Sequence, residues 1–452
     1  MTQDEALKIL KTGANVYLTG EPGSGKTHTV NTYVAWLREQ GVEPAITAST
    51  GIAATHIGGY TIHSWSGIGI KRALSKYDLD GIAQNKGVIE RVGGARILII
   101  DEVSMLAGRV LDMVDAVCRE VRQDASPFGG LQVIVVGDFF QLPPVVRSER
   151  ADTDIQLFDD RASVFAFDSV AWEKMNPLIC YLSEQHRQED AEFLDFLTAL
   201  RRDSIDDTHY ELLRTRYTKT PADGVTQLYS HNADVDSLND TELKKLKADE
   251  KKFDMEERGS KKLIEALKRG CLSPERLVLK IGARVMFTKN DTERKYVNGT
   301  LGVVKGFAAE TGYPIVKTNT GRELVVEPDE WRLDDGGKVL ARIMQIPLRL
   351  AWAMTVHKSQ GMSLDSAHMD LSNAFEYGQG YVALSRVRTL AGLTLAGLNA
   401  RALAVHPQIV EKDADFRAAS DAARDAFAAM TDNEHYRMVS NFIKACGGTM
   451  AV

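Results

Sequence analysis

Short apolar runs alternate with longer amphipathic stretches along the first third of the chain. The apolar runs have the length of buried strands and occupy residues 16–19, 44–47, 97–100 and 133–136. The stretches between them have the composition of helices and cover about residues 26–40, 51–58 and 104–122. This order predicts β–α–β units that form a parallel sheet covered by helices on both faces. Ligands of such sheets bind beyond the carboxyl ends of the strands.

A second set of strand and helix patterns follows, and a long insertion divides it into two parts. Strands are predicted at residues 178–182, 226–228 and 349–354, with one helix through residue 200 and another after Gly361. These segments predict a second α/β domain, split by a long insertion.

The insertion covers about residues 240–345. Its first part, residues 243–269, is rich in Lys and Glu and is predicted to be helical. Its second part predicts a small β-barrel module, with strand patterns at residues 283–287, 300–304, 315–318, 323–326 and 343–347. Asn298-Gly299 and Thr320-Gly321 supply turn signals between these strands. Residues 401–452 have a helical composition rich in Ala, Arg and Asp. The sequence assigns no functional role to this tail and favours a packing helix.

The composition argues against a membrane-spanning, a disulfide-rich or a secreted protein. The 452 residues suffice for about two to four domains, and no apolar run reaches the length of a membrane span. The cysteines are scattered without disulfide or metal-ligand spacing, which favours reduced thiols; they are Cys118, Cys180, Cys271 and Cys446. The first residues lack the basic and apolar segments of a secretion signal. We therefore expect a cytoplasmic protein without a membrane partner.

The formal net charge is −7, which argues against a simple basic nucleic-acid-binding protein. A protein that grips a strand in a local basic groove is still compatible with this charge, because the relevant field is local. Charge alone therefore leaves nucleic acid open as a partner.

Residues 20–27 read Gly-Glu-Pro-Gly-Ser-Gly-Lys-Thr, a complete phosphate-binding loop between a predicted strand and a predicted helix. Backbone N–H groups of Gly23, Ser24 and Gly25 can close around phosphates at the helix N-terminus. Lys26 is placed to reach the β- and γ-phosphates, and the Thr27 hydroxyl is placed to bind Mg²⁺. The loop predicts a protein that binds a nucleoside triphosphate such as ATP.

Two acidic residues follow the apolar run at residues 97–100. Asp101, at a strand end, can hold Mg²⁺ directly or through water, and Glu102 can activate the attacking water as general base. Gln141 follows the strand pattern at residues 133–136, where its amide can sense the γ-phosphate or simply cap a turn made rigid by two prolines. With the phosphate loop, these groups predict hydrolysis of the nucleotide.

Other polar residues have two interpretations each. Arg187 and Arg386 are candidate fingers that reach the γ-phosphate from a second domain, or they are surface or ion-paired arginines. Residues 355–361 form a polar turn in which Lys358 can bind strand phosphates, or they form an ordinary helix cap. The Gln3 amide matches an adenine edge, or it is a disordered polar group near the terminus.

Together these motifs resemble those of superfamily 1 DNA helicases, and within them the Pif1 family. The resemblance spans the chain from Gln3 to about residue 395 and depends on the order and spacing of its segments. The matching segments are residue 3 and residues 20–27, 48–54, 61–64, 101–106, 102–122, 137–144, 281–286 and 297–299.

The resemblance implies two RecA-like domains with ATP between them, a small wedge termed 1B and an inserted SH3-like β-barrel termed 2B. The first RecA-like domain is expected at residues 1–177, with 1B at about residues 64–88. The second is expected in two parts, at residues 178–239 and 345–400. The remaining expected segments are residues 240–296 leading to 2B, residues 297–344 for 2B, and residues 401–452 for a helical tail.

The resemblance also implies roles for single residues. The implied nucleotide contacts are Gln3 for adenine, Lys26 and Thr27 for phosphate and Mg²⁺, and Asp101 and Glu102 for metal and water. The implied γ-phosphate sensor and fingers are Gln141, Arg187 and Arg386. The implied DNA contacts are Thr50, His63, Asn232, His357 and Lys358. Phe139 or Phe140 is a candidate for stacking on a base, with a core position as the alternative.

The implied activity is ATP-driven 5′→3′ translocation on single-stranded DNA, with unwinding of tailed or forked duplexes and Mg²⁺ as cofactor. A monomeric enzyme, G-quadruplex DNA as a further substrate, and a part in DNA repair, replication and telomere maintenance are expectations at the level of the family. One alternative stays open, a DNA-stimulated ATPase that clamps or remodels nucleoprotein without separating strands. A small-molecule P-loop kinase is disfavoured, because such a kinase needs an acceptor pocket and rarely carries the later motifs.

Overall fold

The computed structural model describes residues 1–56, 59–69, 71–144, 164–184, 190–222, 224–289, 291, 295–296, 298–319, 321–335 and 338–450. Arg187 lies outside these ranges, and Asn232 is described by its backbone alone. The chain divides into two compact units, of which the first comprises residues 1–194, 198–203 and 405–452. The second comprises residues 195–197 and 204–404.

The helices of the described chain are α1 (Gln3–Lys11), α2 (Lys26–Glu39), α3 (Gly51–His56), α4 (Ile62–Trp65), α5 (Lys76–Ala83), α6 (Lys86–Val88), α7 (Gly108–Arg122), α8 (Val170–Met175), α9 (Ala191–Arg201), α10 (Asp207–Arg214), α11 (Asn232–Lys245), α12 (Lys261–Gly270), α13 (Gln379–Leu384), α14 (Pro407–Ala428) and α15 (Asp432–Ala445). The strands of the first unit are β1 (Val16–Gly20), β2 (Ala45–Ala48), β3 (Tyr60–Thr61), β4 (Ile97–Asp101), β5 (Gln132–Val136) and β6 (Leu178–Leu182). The strands of the second unit are β7 (Thr226–Tyr229), β8 (Lys251–Asp254), β9 (Glu256–Gly259), β10 (Arg276–Leu279), β11 (Arg284–Phe287), β12 (Leu301–Phe307), β13 (Pro314–Thr318), β14 (Glu323–Val325), β15 (Asp329–Asp335), β16 (Lys338–Gln345), β17 (Leu348–Leu350), β18 (Ala353–Thr355), β19 (Ala367–Leu371) and β20 (Leu393–Leu398).

A parallel sheet forms the centre of the first unit. Its strand order is β3-β2-β4-β5-β1-β6, and every neighbouring pair is parallel. Every residue of β1 and of β5 is buried. Strands covered on both faces read as continuous apolar runs, which is why the hydrophobic pattern predicts them.

We expected residues 178–182 to begin the second domain, and the structure places them in the first sheet. They form β6, which pairs with β1 from Leu178 beside Val16 to Leu182 beside Gly20. Leu182 lies in the core of the first unit. An apolar run does not reveal which sheet it joins, because its periodicity and burial are the same in either.

The two C-terminal helices also belong to the first unit. Ala423 of α14 and Ile443 of α15 lie in one apolar core with Leu10 of α1 and Leu37 of α2. Ser420 Oγ of α14 accepts a hydrogen bond of 3.0 Å from the backbone N–H of Tyr181 in β6. The tail therefore packs into the core of this unit, as the interpretation of a packing helix predicts.

The second unit contains a parallel sheet of order β18-β7-β19-β20. The single strand predicted at residues 349–354 is wrong, because this stretch divides between two sheets. Its first part is in β17, which pairs with β11 in an antiparallel sheet, and its second part is in β18. The helix predicted after Gly361 is also wrong, since the described stretch 361–378 contains no helix. A parallel bridge between Leu364 and Val387 holds part of that stretch extended.

The insertion contributes an antiparallel sheet of order β14-β13-β12-β11-β17. Its core includes Val285, Phe287, Val304 and Val316. Gly299 of the predicted turn has φ 91°, a left-handed conformation that glycine adopts without steric cost.

Part of the insertion was predicted to be helical, and that prediction is wrong for residues 251–259. β8 pairs with β10 and β9 pairs with β16, so strand pairing outweighs the helix propensity of the Lys and Glu residues. The strand predicted at residues 343–347 is the end of β16, which pairs with β15 and β9. Among the helices that the structure describes, none has the length and apolar character needed to cross a membrane.

Candidate nucleotide site and nucleic-acid interface

The phosphate-binding loop joins β1 to α2 in the first unit. Gly25 is the N-cap of α2 and has φ 88°, a left-handed conformation. A Cβ atom at this position would lie 2.2 Å from Gln3 Nε2. The left-handed conformation favours glycine here, and a larger residue would also displace the Gln3 amide from the loop.

The loop also holds Lys26. Its Nζ donates hydrogen bonds to Gly20 O at 2.7 Å and to Glu21 O at 3.0 Å, which keeps the ammonium at the loop. The neighbouring Ser24 Oγ is buried and has no hydrogen-bond partner among the described residues. A buried hydroxyl without a partner is unfavourable unless a ligand supplies one, so this loop has the character of an oxyanion site.

Gln3 is the first residue of α1 and lies against this loop. Its Nε2 donates a long hydrogen bond of 3.4 Å to Ser24 O. Its backbone N–H donates to Glu184 Oε2 at 2.9 Å. A capping box between Thr2 and Glu5 fixes the start of the helix, so the position of Gln3 is well defined and the alternative of a disordered terminus is wrong.

Asp101 is the last residue of β4 and lies at the carboxyl edge of the parallel sheet, where the phosphate-binding loop also lies. Burial raises the pKa of its carboxyl, while the hydrogen bond from Glu102 N at 2.8 Å and the positive charge of Lys26 act in the opposite direction. Because β4, β5 and β1 are parallel strands of one sheet, the carboxyl lies at the edge of the sheet that the phosphate loop occupies. A metal ion or a further cation at this carboxyl would favour its ionised form.

Glu102 adopts φ 53° and ψ 46°, a left-handed conformation that is uncommon for a residue other than glycine. Such a conformation costs about 1–3 kcal/mol and persists only where its surroundings hold it. Two hydrogen bonds do so: Ser49 Oγ donates to Glu102 O at 2.7 Å, and Ser49 N donates to Asp101 O at 3.1 Å. The segment after β2 thus fixes the two acidic residues.

Gln141 belongs to the loop that follows β5. Gly137 begins this loop, and a Cβ atom there would lie 2.9 Å from Val103 N, so the loop packs directly against the segment after Glu102. Gln141 is buried, and its N–H donates to Asp138 O at 3.0 Å. The predicted sensor is thus held in a tight turn beside the acidic residues.

Phe139 and Phe140 are core residues, which was the alternative to base stacking. Phe139 packs against Tyr17 with ring centroids 5.3 Å apart and against Phe167 at 4.8 Å. Phe140 lies 4.0 Å below the guanidinium of Arg201. Neither ring is open to a nucleobase, since each is 4% exposed.

Two of the predicted DNA contacts, Thr50 and His63, lie in the first unit, where the structure describes their surroundings. Thr50 Oγ1 accepts a hydrogen bond of 3.2 Å from Ala53 N at the start of α3. His63 lies in α4, where desolvation lowers the pKa of its ring and favours the neutral form. A neutral imidazole can donate one hydrogen bond and accept another, but it does not attract phosphate by charge.

The predicted DNA contacts of the second unit lie just beyond strand ends. His357 and Lys358 follow β18, and Asn232 begins α11 shortly after β7. Burial and the like charge of Arg349 lower the pKa of Lys358, whereas the charge of Asp236 acts in the opposite direction. Sequence reasoning missed Arg349, because nothing in its own segment distinguishes it from a surface arginine.

Arg349 has the features of an anion-binding group. Its Nε is buried without a hydrogen-bond partner in the part of the chain that the structure describes. Burial lowers the pKa of the guanidinium, and Asp236 opposes this shift. Arg349 and Lys358 thus lie within electrostatic range of each other and of the Asp236 carboxylate.

Arg386, the second candidate finger, is 2% exposed within the second unit. Its Nε donates to Val382 O at 2.7 Å, and Nη2 donates to Ser385 Oγ at 2.9 Å. A weaker bond of 3.4 Å joins Nη1 to Met362 O. This burial argues against the surface arginine that the sequence left open as one alternative, while the ion-paired arginine stays open.

A cleft of about 420 Å³ lies between the inserted antiparallel sheet and the parallel sheet of the second unit. Asn298 and Gly299 line one side, and Ser363 and Arg388 belong to the other. Among the residues that the structure describes, no cluster of three or more His, Cys, Asp or Glu side chains could hold a metal ion by itself.

Comparison with known proteins assigns the family. A model of PIF1-like helicases matches residues 3–211, and a model of the 2B domain of the DNA helicase Pif1 matches residues 262–307. The ATP-dependent DNA helicase Pif1 of a Psychrobacter strain is 40% identical, in an alignment that covers 100% of this chain and 76% of the relative. The chain belongs to the Pif1 helicase family. The protein is accordingly an ATP-hydrolysing DNA helicase.

Solved structures of Pif1 helicases agree with the fold. The Pif1 helicase of Candida albicans is 33% identical with a TM-score of 0.77, over 91% of this chain and 98% of that one. The Pif1 helicase of Bacteroides in complex with ADP-AlF3 and single-stranded DNA is 27% identical with a TM-score of 0.64, over 92% and 96% of the two chains. The predicted architecture of two RecA-like parallel-sheet domains with an inserted 2B module is confirmed.

Proposed function

We propose that this Pif1-family helicase moves 5′→3′ along single-stranded DNA and unwinds tailed or forked duplex DNA. The observation that carries the proposal is the grouping of Lys26, Asp101 and Glu102 at the carboxyl ends of two parallel strands. The Bacteroides relative, described in complex with a nucleotide analogue and single-stranded DNA, supports the same substrates for this chain. The direction of movement is supported by the family resemblance alone.

Binding of ATP starts from the phosphate loop. The N–H groups of Gly23, Ser24 and Gly25 receive the phosphate oxygens, and the unpartnered Ser24 hydroxyl donates to one of them. Lys26 exchanges its bonds to Gly20 O and Glu21 O for the β- and γ-phosphates. The Gln3 amide, already beside the loop, pairs with the adenine edge.

Hydrolysis requires a base and a sensor. Glu102 accepts a proton from the attacking water, and its fixed left-handed backbone keeps the carboxylate oriented for this step. Gln141 responds to the presence of the γ-phosphate from the adjoining turn. We assign stabilisation of the γ-phosphate charge to Arg187 and Arg386, the latter by releasing its carbonyl bonds.

The donor set fits Mg²⁺. Thr27 and Asp101 would hold the ion through a hydroxyl and a carboxylate oxygen, and Mg²⁺ takes few protein ligands when phosphates and waters complete its shell. The absence of a larger ligand cluster among the described residues agrees with this mode. When bound, the ion neutralises charge on the phosphate oxygens.

DNA is gripped through its backbone. Arg349 lies within β17 and Lys358 follows β18, and the positive charges of the two side chains suit a phosphate. We assign further contacts to Thr50, His63 and Asn232, together with His357. Contacts of this kind are largely independent of base sequence. We also propose a monomeric, cytoplasmic enzyme that acts on G-quadruplex DNA, supported by the family resemblance.

A helicase assay with both tail orientations tests the proposal. Single-stranded DNA is expected to stimulate ATP turnover, and duplexes with a 5′ tail are expected to be unwound while those with a 3′ tail are not. Unwinding from the 3′ tail would overturn the direction. Stimulated turnover without unwinding of either substrate would favour the clamp or remodelling ATPase, and turnover indifferent to DNA would favour a small-molecule kinase.

A further inference from the structure

Three adjacent parallel strands of the second unit end at one edge of their sheet. In the order β18-β7-β19, they are followed by His357, His231 and Phe375. Because the strands are parallel, the segments that leave their carboxyl ends meet at the edge where ligands of such sheets bind. Two aromatic rings therefore lie at the edge where the second unit carries its candidate DNA contacts.

The rings of His231 and Phe375 stack on each other. Their centroids are 4.9 Å apart and their planes differ by 16°. Phe375 is 51% exposed, and His231 is exposed as well. Stacking covers one face of each ring, so a second face of Phe375 is open to solvent. By contrast, the aromatic cluster around Phe139 is buried.

The position of Phe375 is fixed by its surroundings. The side chain of Gln379, which is fully buried, accepts a hydrogen bond from Phe375 N at 3.1 Å and donates to Ser230 O at 3.3 Å. One amide thus ties the Phe375 loop to the residue that precedes His231. On the other side, His357 Nε2 lies 3.4 Å from Glu376 Oε2. A ring held in this way loses little conformational freedom when it binds a ligand.

A single exposed aromatic side chain is normal in soluble proteins and needs no function. Here three independent features coincide: the stacked geometry, the fixed loop and the place at the ligand edge of the sheet. Lys358 directly follows His357, whose ring contacts Glu376 next to Phe375, and its positive charge is available to a phosphate of the same nucleotide chain. An aromatic face beside cations is the arrangement by which proteins hold unpaired bases without reading their sequence.

We propose that Phe375, backed by His231, is a stacking platform for one unpaired nucleobase of single-stranded DNA. The proposal builds on the function proposed above and names a subsite within it. The base lies on the open face of Phe375, while the adjoining phosphate is held by Arg349 of β17 and by Lys358, which follows β18. The platform accepts any base, since every base offers a π-face.

Binding of fluorescently labelled oligothymidine to the full chain tests this subsite. Phe375→Ala is expected to weaken binding about 10-fold, whereas Phe375→Trp keeps the aromatic face and is expected to bind within about 2-fold of the wild type. Tyr210→Ala removes a comparably exposed ring elsewhere in the same unit and serves as the matched control. Since these side chains are exposed, each variant should melt at the same temperature as the wild type.

A set of oligonucleotides with one abasic site at successive positions adds a readout that lost folding would not mimic. The wild type should lose about 10-fold in affinity when the abasic site occupies the platform, and Phe375→Ala should show no such position. If the wild type binds DNA but Phe375→Ala binds equally well with the same abasic profile, the platform is wrong and the helicase proposal stands. If the wild type fails to bind single-stranded DNA, both are wrong.

Discussion

Arg201 and Asp138 form a buried ion pair in the first unit, in which Arg201 Nη1 lies 2.8 Å from both carboxylate oxygens. The side chains are 2% and 0% exposed. Arg201 Nη2 also donates to the hydroxyl of Tyr181 at 2.7 Å, and Arg417 of α14 donates to the same hydroxyl at 2.6 Å. Asp138 begins the turn that carries Gln141, the predicted γ-phosphate sensor. This turn is therefore supported by Arg201 at the end of α9 and, through the Tyr181 hydroxyl, by Arg417 of α14.

Replacing Arg201 by Met should destabilise the first unit by about 3–5 kcal/mol, because it leaves the Asp138 carboxylate buried without its partner. Urea unfolding measures this change. The double variant Arg201→Met with Asp138→Asn should lose less than the sum of the two single variants, because the charges are removed together. Arg202→Met, at the exposed neighbouring position, should stay within about 0.5 kcal/mol of the wild type. A loss below about 1 kcal/mol for Arg201→Met would show that the pair is not structurally important.

The motifs of the nucleotide site can be recognised in the sequence, whereas the contacts that support them cannot. The phosphate loop and the acidic pair Asp101-Glu102 are short contiguous motifs, so their chemistry can be read locally. Arg201 and Asp138 are separated by 63 positions, and no local pattern connects them. The same limit applies to β6, whose apolar run gives no indication that it joins the first sheet.

The two residues of the stacking platform, His231 and Phe375, also could not be identified from the sequence. The sequence offered Phe139 and Phe140 as candidates for base stacking, because aromatic side chains stack on bases in channels that hold single strands. Burial decides against both of them. The exposed pair of His231 and Phe375 is brought together only by the parallel order of β7 and β19, which the hydrophobic pattern does not supply.

Lys26→Ala and Glu102→Gln should both abolish most ATP turnover, but for different reasons. The first removes the positive charge at the phosphates, and a loss of about 100- to 1,000-fold in kcat is expected. The second removes the general base, and a loss of about 100- to 10,000-fold is expected while ATP binding is kept. Steady-state turnover with saturating single-stranded DNA, together with equilibrium binding of a fluorescent ATP analogue, separates the two.

Lys86→Ala and Glu90→Gln are the matched controls, because both side chains are exposed and belong to the segment between β3 and β4. Each should turn over ATP at the wild-type rate. Turnover that survives in Glu102→Gln would remove Glu102 from the role of base, whatever the result for Lys26→Ala.

His368 should make stability depend on pH. Burial lowers the pKa of its ring, an effect that Asp370 only partly opposes, and Nδ1 lies 3.0 Å from Thr394 Oγ1. Because the folded pKa lies below the unfolded value of about 6.5, the unfolded chain binds the proton more readily. The contribution of His368 is therefore fully present above about pH 6.5 and is lost as the pH falls towards the folded pKa.

Urea unfolding at pH 8.0, 6.5 and 5.5 checks this dependence. His368→Gln should reduce the loss of stability on acidification by up to about 1.4 kcal/mol per pH unit, since glutamine does not titrate. The burial of His63 and His406 lowers the pKa of each ring too, so part of the dependence should persist in the variant. Equal slopes for variant and wild type would show that His368 is not responsible.

Arg349 should contribute a charge to DNA binding that salt can reveal. If Arg349 and Lys358 neutralise backbone phosphate, Arg349→Gln should weaken the affinity for oligothymidine about 10-fold at low salt. The slope of log affinity against log salt concentration should fall by about 0.7, the value for one phosphate contact on a single strand. Arg214→Gln removes an exposed arginine that is paired with Glu211 in the same unit, and it should leave the slope unchanged. A reduced affinity with an unchanged slope in Arg349→Gln would mean that the residue supports the fold near β17 and makes no phosphate contact, because loss of packing releases no counterions.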